Sequence, residues 1–225
     1  MTYLYLDIET IPAQSASAKS LIALSVKPPA QMKKADTIAA WEIEQKPQAV
    51  EDAIAKSSLN AAFGHICCIG MAVDDGDVNS ISWPNNATSE FEMINGFFEV
   101  VGDAIGNRFP TVVGHYITGF DLRFIWQRCI VLGIRVPAWV PRNPKPWDPV
   151  VFDTMTAWAG ARDTISMDNL CAALGLPGKG DIDGSKVAAM WANGEHEAIA
   201  AYCRGDVERT RAIHRKMQLA FGEAA

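Results

Sequence analysis

Tyr3-Leu4-Tyr5-Leu6-Asp7-Ile8-Glu9 opens the chain with an apolar run that carries two carboxylates two residues apart. The run predicts a strand over residues 3–8. Side chains at i and i+2 share one face of a strand, so Asp7 and Glu9 point together from the end of a strand otherwise suited to burial. Two ionised carboxylates that close repel each other, and burying either is costly. A hard divalent cation between them removes both problems. The plainer account is a strand end with two solvated acids, and Pro12 with the polar residues after it is compatible with that. Metal binding requires further acids along the chain.

Composition sets the outer limits. The chain has 225 residues, 49% hydrophobic and 20% charged, as for one globular domain with a sizeable core. No apolar run approaches the roughly 20 residues of a membrane span, and Met1-Thr2-Tyr3-Leu4 lacks the basic start of a signal peptide. The five cysteines form no CxxC pair, which argues against a disulfide framework and a zinc cage and for a reducing cytoplasm. A net charge of −6 argues against coating nucleic acid by bulk attraction. Local grip on a few phosphates through metal ions is compatible with it.

Beyond the first strand, residues 13–60 are rich in Lys, Ala, Gln and Ser and read as an insertion within a single domain spanning 1–225. Helices are expected there over 35–44 and 50–57. A strand over Ile66–Val73, a turn at Asp74–Asp77 and a strand over Val78–Trp83 read as an antiparallel hairpin. Phe91, Ile94, Phe97, Phe98, Val101 and Ile105 recur at helical steps, predicting a helix over 89–105 capped by Thr88 or Ser89. A short strand at 111–113 and a helix over 119–132, closed by Gly133, come next. Residues 137–149 read as a loop, and 150–159 as a second apolar segment. A helix over 167–174 lies between Ser166 and Gly175, and a long one covers 195–220. Strands with helical crossovers make the class α/β.

Two further acids stand out. Asp121 follows Phe120 near the start of the helix expected after the 111–113 strand; a dipole-stabilising acid is the plainer account. Asp206 lies four residues after Tyr202 on the last helix, so the two share a face. Gly205 beside it costs a helix about 1 kcal/mol and points to close approach by another group. Taken together the signals form an ordered set: Asp-x-Glu on a first strand, Gly-x6-Asp on a middle helix, Tyr-x3-Asp on the last helix.

In that set the chain resembles the DEDD superfamily of 3′–5′ exonucleases. Asp7-Ile8-Glu9-Thr10 matches the first motif, Phe120-Asp121 the second, and Tyr202 to Asp206 the third in its tyrosine form. The histidine form would place His where Ala201 stands. Phe152-Asp153-Thr154-Met155, Ser166-Met167-Asp168-Asn169-Leu170 and Gly178 to Lys186 further resemble the proofreading exonuclease domain of family B DNA polymerases. That group usually carries Asn five residues before the second-motif Asp, where this chain has Tyr116. The likeness spans Tyr3 to about Lys216.

The resemblance implies a ribonuclease-H-like mixed β-sheet flanked by α-helices, and hydrolysis at a 3′ end with two Mg²⁺ or Mn²⁺ ions. It implies Asp7 as the ligand shared by both ions, Glu9 and Asp206 on the nucleophile side, and Asp121 on the other ion. Tyr202 would orient the attacking water, since a phenol with pKa near 10 is a poor base at neutral pH. His115, Phe120, Lys179 and Lys186 are candidates for substrate contact. The resemblance puts Asp153 near the site, while a helix-start acid is its plainer account. Trp139, Trp147 and Trp158 are either stacking platforms or packing residues, and Arg204, Arg209, Arg211 and Arg215 read as a solvated helix face. Single-stranded DNA or a frayed 3′ end is the expected substrate, with a replication or repair protein as a candidate partner and no membrane. An exoribonuclease and a non-catalytic nucleic-acid-binding module on the same scaffold are the alternatives.

Overall fold

The computed structural model describes residues 1–160, 162–178, 180 and 184–222. In chain order its elements are β1 (Tyr3–Ile11), α1 (Ala16–Ser25), α2 (Ala35–Glu44), α3 (Lys46–Lys56), β2 (His65–Val73), β3 (Asn79–Ser82), α4 (Glu90–Ile105), β4 (Thr111–Gly114), α5 (Asp121–Leu132), β5 (Val151–Asp153), α6 (Thr154–Ala159), α7 (Met167–Leu174), α8 (Val187–Ala192) and α9 (His196–Phe221). They divide into two compact units, Met1–Glu9 with Ile66–Ala225, and Thr10–His65.

The larger unit is built on a five-stranded sheet in the order β3-β2-β1-β4-β5. β4 runs parallel to β1, with Tyr3 opposite Thr111 and Tyr5 opposite Val113. β5 runs parallel to β4, while β3 returns antiparallel along β2 as the expected hairpin. This mixed sheet with flanking helices is the α/β, ribonuclease-H-like architecture. β2 reads Ile-Cys-Cys-Ile-Gly-Met-Ala and is buried along that whole length, as an interior strand covered on both faces must be.

Helix ends follow local chemistry. Ser89 accepts from the Glu92 amide and Ser166 from the Asn169 amide, as N-caps do. Gly133 and Gly175 close α5 and α7 in left-handed conformation. Deeper inside, Glu90 on α4 accepts from the Ile66 amide and pairs with Arg128 of α5 at 2.7 Å, both side chains buried. A charge pair so enclosed survives only with its remaining lone pairs satisfied, and Glu90 meets that condition by tying α4 and α5 to β2.

Several boundaries differ from expectation. β1 extends to Ile11. α5 begins at Asp121, not Gly119, because the Gly119 and Phe120 amides are engaged by the Tyr116 carbonyl in a turn. The 150–159 segment splits at Asp153, whose side chain caps α6. α1 and α8 were not expected; α1 has Ser15 as its cap but little apolar periodicity, with only Ile22 buried. In the smaller unit, α1 and α2 each pack on α3, and Ser57 accepts from the Ala13 amide at 2.9 Å. Trp41 and Ile22 are its buried apolar side chains among the helices.

Candidate active site

Asp7 and Glu9 emerge from one face of β1, Glu9 buried and Asp7 partly so. Neighbouring β4 delivers the chain to Gly114, where it turns back. A Cβ on Gly114 would lie 2.6 Å from Ile117, so only glycine permits this turn. Residues 115–120 then loop across the strand ends and place Asp121 in the first turn of α5, where its Oδ1 accepts from the Ile8 amide at 3.1 Å. Asp121 is thereby joined to the backbone between the two β1 acids.

Asp153 holds that loop. Its Oδ1 accepts from the Tyr116 amide and its Oδ2 from the Thr118 amide and hydroxyl, while Oδ1 also caps α6. The helix-start reading of Asp153 is correct but covers half of its role. Tyr116 sits at φ 65°, a left-handed conformation that Asn tolerates and Tyr does not favour.

The third element is α9, which lays Tyr202, Cys203, Asp206 and Val207 on its buried face. It approaches β2 closely at Gly70: a Cβ there would meet the Cys203 Sγ and Val207 Cγ2 at 2.9 Å each. That approach sets Cys203 against Asp7, its Sγ 3.4 Å from Asp7 Oδ2. Asp7, Glu9, Asp121, Tyr202 and Asp206 line a single cleft of about 200 Å³, together with His115, Tyr116 and Phe120.

Electrostatics in the cleft are those of crowded acids. Burial pushes the Asp121 carboxyl up to about 7, and the nearby Asp153 and Asp206 charges add to the rise, against hydrogen bonds from its own and the Ile8 amides. Asp206 is ion-paired to Arg209 at 2.6 Å. The Arg209 guanidinium lies over Gly205, which identifies the close approach that this glycine permits. Ligand atoms of Asp7, Glu9 and Cys203 lie within 4.8 Å of one another, the one such cluster among the described residues. Burial raises the Cys203 thiol well above its ordinary range, so it stays neutral and donates to Asp7. A neutral thiol suits a hard cation poorly, whereas the carboxylates around it suit one well.

Other expectations meet the structure unevenly. His115 lines the cleft, but both ring nitrogens are engaged, Nε2 donating to the Ile165 carbonyl and Nδ1 beside the Thr154 hydroxyl. Phe120 lines the cleft and packs on Phe124. Lys186 is exposed and Gly184 of the same turn reaches the cleft; Lys179 lies outside the described residues. Trp139 packs edge-on against Phe97 and Phe98, while Trp147 and Trp158 are exposed. The solvated-face reading of the α9 arginines holds for exposed Arg215 and is corrected for the half-buried Arg204, Arg209 and Arg211. Besides Arg209 on Asp206, Arg204 bonds Ser80 and Glu197, Arg211 the Gly76 carbonyl, and Arg215 Asp75. Arg204, Arg211 and Arg215 reach back to the β2–β3 hairpin because α9 packs against it, a proximity that helical periodicity does not express. Cys203 had no signal of its own beyond its place beside the Tyr-x3-Asp motif, whereas Arg209 lies at the i,i+3 spacing from Asp206 that pairs charges on a helix.

A family model described as "Predicted 3′-5′ exonuclease related to the exonuclease domain of PolB" matches residues 56–224. Among solved structures, the chain is similar to the family B DNA polymerase from the hyperthermophilic archaeon Pyrobaculum calidifontis, with a TM-score of 0.59 and 17% identity over 98% of this chain. The chain spans 25% of that polymerase's length, and at this identity the likeness concerns the fold. No curated protein matches the chain.

Proposed function

This chain belongs to the family of predicted 3′–5′ exonucleases related to the exonuclease domain of PolB, and from that premise we propose that it removes nucleotides from the 3′ end of single-stranded DNA with two bound Mg²⁺ or Mn²⁺ ions. The observation that carries the reading is the convergence of Asp7, Glu9, Asp121, Asp206 and Tyr202 from β1, α5 and α9 on one cleft. Three acids there are buried, and Asp121 is held near a pKa of 7 by burial and its acidic neighbours. Buried carboxylates in such a group call for cationic partners, and an all-oxygen donor set fits hard divalent ions.

Asp7, Glu9, Asp121 and Asp206 would hold the ions. When bound, such ions supply activation of water and stabilisation of the departing 3′ oxygen. The protein's own groups set the frame for that chemistry. The Ile8 amide fixes one Asp121 oxygen, leaving the other for coordination. Cys203 fixes one Asp7 oxygen through its S–H. Tyr202, anchored by a buried helix face, presents its hydroxyl to orient the attacking water. Arg209 pairs with Asp206 and offsets its charge inside the fold.

A gel assay tests the reading. 5′-Labelled single-stranded DNA and the matching RNA are incubated with Mg²⁺ or Mn²⁺, and wild type is compared with Asp7→Ala. A metal-dependent ladder shortening from the 3′ end, absent in the variant, is the expected outcome. Faster shortening of the RNA would move the substrate class to ribonucleic acid. Stable binding of both polymers with no digestion would make the protein a binding module.

A further inference from the structure

The cleft is the first of three connected depressions. Tyr116 is its shared wall with a second, of about 340 Å³, whose lining includes Arg123, Lys145 and Arg162. Arg123, Asn143 and Pro144 in turn separate the second from a third of about 320 Å³, which adds Arg142 and Trp126. The depressions lie between the start of α5, the 142–146 loop and the residues after α6, all in the larger unit. Arg123, Arg142, Lys145 and Arg162 are exposed, and none has an ion-pair partner among the described residues. Asp163 is the one acid in these two linings.

Four cations concentrated along one path stand out in a chain of net charge −6. The acids that produce the negative total would repel a polyanion elsewhere. Here the charged lining is four cations to one acid, and it begins where the cleft ends. Aromatic surface is present as well: the half-exposed Tyr116 ring covers Gly119 at the junction, and Trp126 carries the Arg142 guanidinium 5.7 Å above its ring. Cations spaced along a groove with aromatic faces between them is the composition of a single-strand track.

We propose that the single strand 5′ of the scissile nucleotide leaves the cleft past Tyr116 and lies in this groove, its phosphates held by Arg123, Lys145 and Arg162. The inference rests on the exonuclease reading of the cleft and adds where the rest of the polymer goes. Affinity should then grow with strand length, while the chemical step at the 3′ end is indifferent to the groove.

The test uses the combined variant Arg123→Ala, Lys145→Ala, Arg162→Ala, with Lys216→Ala on α9 as a surface control. Binding of a 5′-fluorescein oligodeoxynucleotide blocked at its 3′ end is read by anisotropy across a salt series, and hydrolysis is measured on a dinucleotide and on longer strands. The triple variant is expected to raise Kd and KM on long strands about tenfold or more, to hold kcat, and to leave the dinucleotide unaffected. Its dependence of log K on log salt should be shallower by about 2, from three lost phosphate contacts. Wild-type Kd and salt slope in the triple variant would overturn the groove and leave the nuclease standing. If wild type hydrolyses no strand, the exonuclease reading fails, and the anisotropy series decides the groove by itself. Should the triple variant not fold, the three single variants are read in the same way; wild-type binding in all three, with KM independent of strand length, overturns the proposal.

Discussion

Asp121 shows how one residue acquires its character from its surroundings. Its carboxyl titrates near 7, above the ordinary 3.8, chiefly because burial disfavours the charge. The folded state thus holds this proton more tightly than the unfolded chain does. The resulting stability is complete below pH 3.8 and is lost as pH rises through 7. Without metal, Asp121→Asn is therefore expected to raise the melting temperature at pH 7 and to remove the component of the profile that falls between pH 4 and 7. Millimolar Mg²⁺ or Mn²⁺ should raise the wild-type melting temperature and raise that of the variant less. Hydrolysis by the variant should fall by about a hundredfold or more, since even residues behind a ligand are worth roughly 10–100-fold. Tyr116 makes the complementary case. Its φ of 65° is strained for an aromatic residue, so Tyr116→Asn should stabilise the protein by about 1 kcal/mol in urea denaturation.

Elements decide how close these residues come. The cleft exists because α9 lies against β2 at Gly70, and the contact tolerates no side chain. Gly70→Ala would push Cys203 and Val207 outward, and with them Tyr202 and Asp206. The expected cost is about 1–3 kcal/mol of stability, read by denaturant titration, together with a fall in kcat larger than the change in KM. Unchanged kcat would mean that the cleft absorbs displacement of α9. α5 is placed by different means. Its first turn is tied to β1 through Asp121 and the Ile8 amide, its preceding loop to β5 through Asp153, and its middle to α4 through Arg128 and Glu90. These polar ties add to the apolar face of Leu122, Phe124, Ile125 and Cys129 in fixing the helix.

At the scale of the molecule, the buried His214 balances the acids. It sits on α9 among Tyr3, Tyr5 and Phe152, with Nδ1 3.1 Å from the Tyr5 hydroxyl. Burial lowers its pKa from 6.5 to about 4, aided by Arg215. Its sign is opposite to that of Asp121: the neutral imidazole contributes fully above pH 6.5, and the contribution is lost as pH falls through 4. That is about 3 kcal/mol by the usual conversion. His214→Phe should remove this slope between pH 6.5 and 4 in urea denaturation of the metal-free protein. An unchanged slope would mean that His214 is already charged in the fold. Because Asp121 and His214 oppose each other over nearly the same window, the wild-type profile should be flatter than that of either variant.

By itself the sequence determined the alternation that makes β1 a strand, the spacing that puts Asp7 and Glu9 on one face, the caps Ser89 and Ser166, the glycine ends of α5 and α7, and the order of the acids along the chain. These are local: periods of two and 3.6 residues and single-residue backbone preferences are written within a few positions of where they act. It also places Asp206 at helical spacing among Tyr202, Cys203, Val207 and Thr210 on the buried face of α9, with Arg209 three residues on as its partner. Only the tertiary structure decided that Cys203 touches Asp7, that Asp153 steadies the loop before Asp121, and that Arg204, Arg211 and Arg215 return to the β2–β3 hairpin. Such pairings join residues up to about two hundred positions apart. Their energies depend on distance and desolvation, neither of which exists until the sheet and helices have closed on one another.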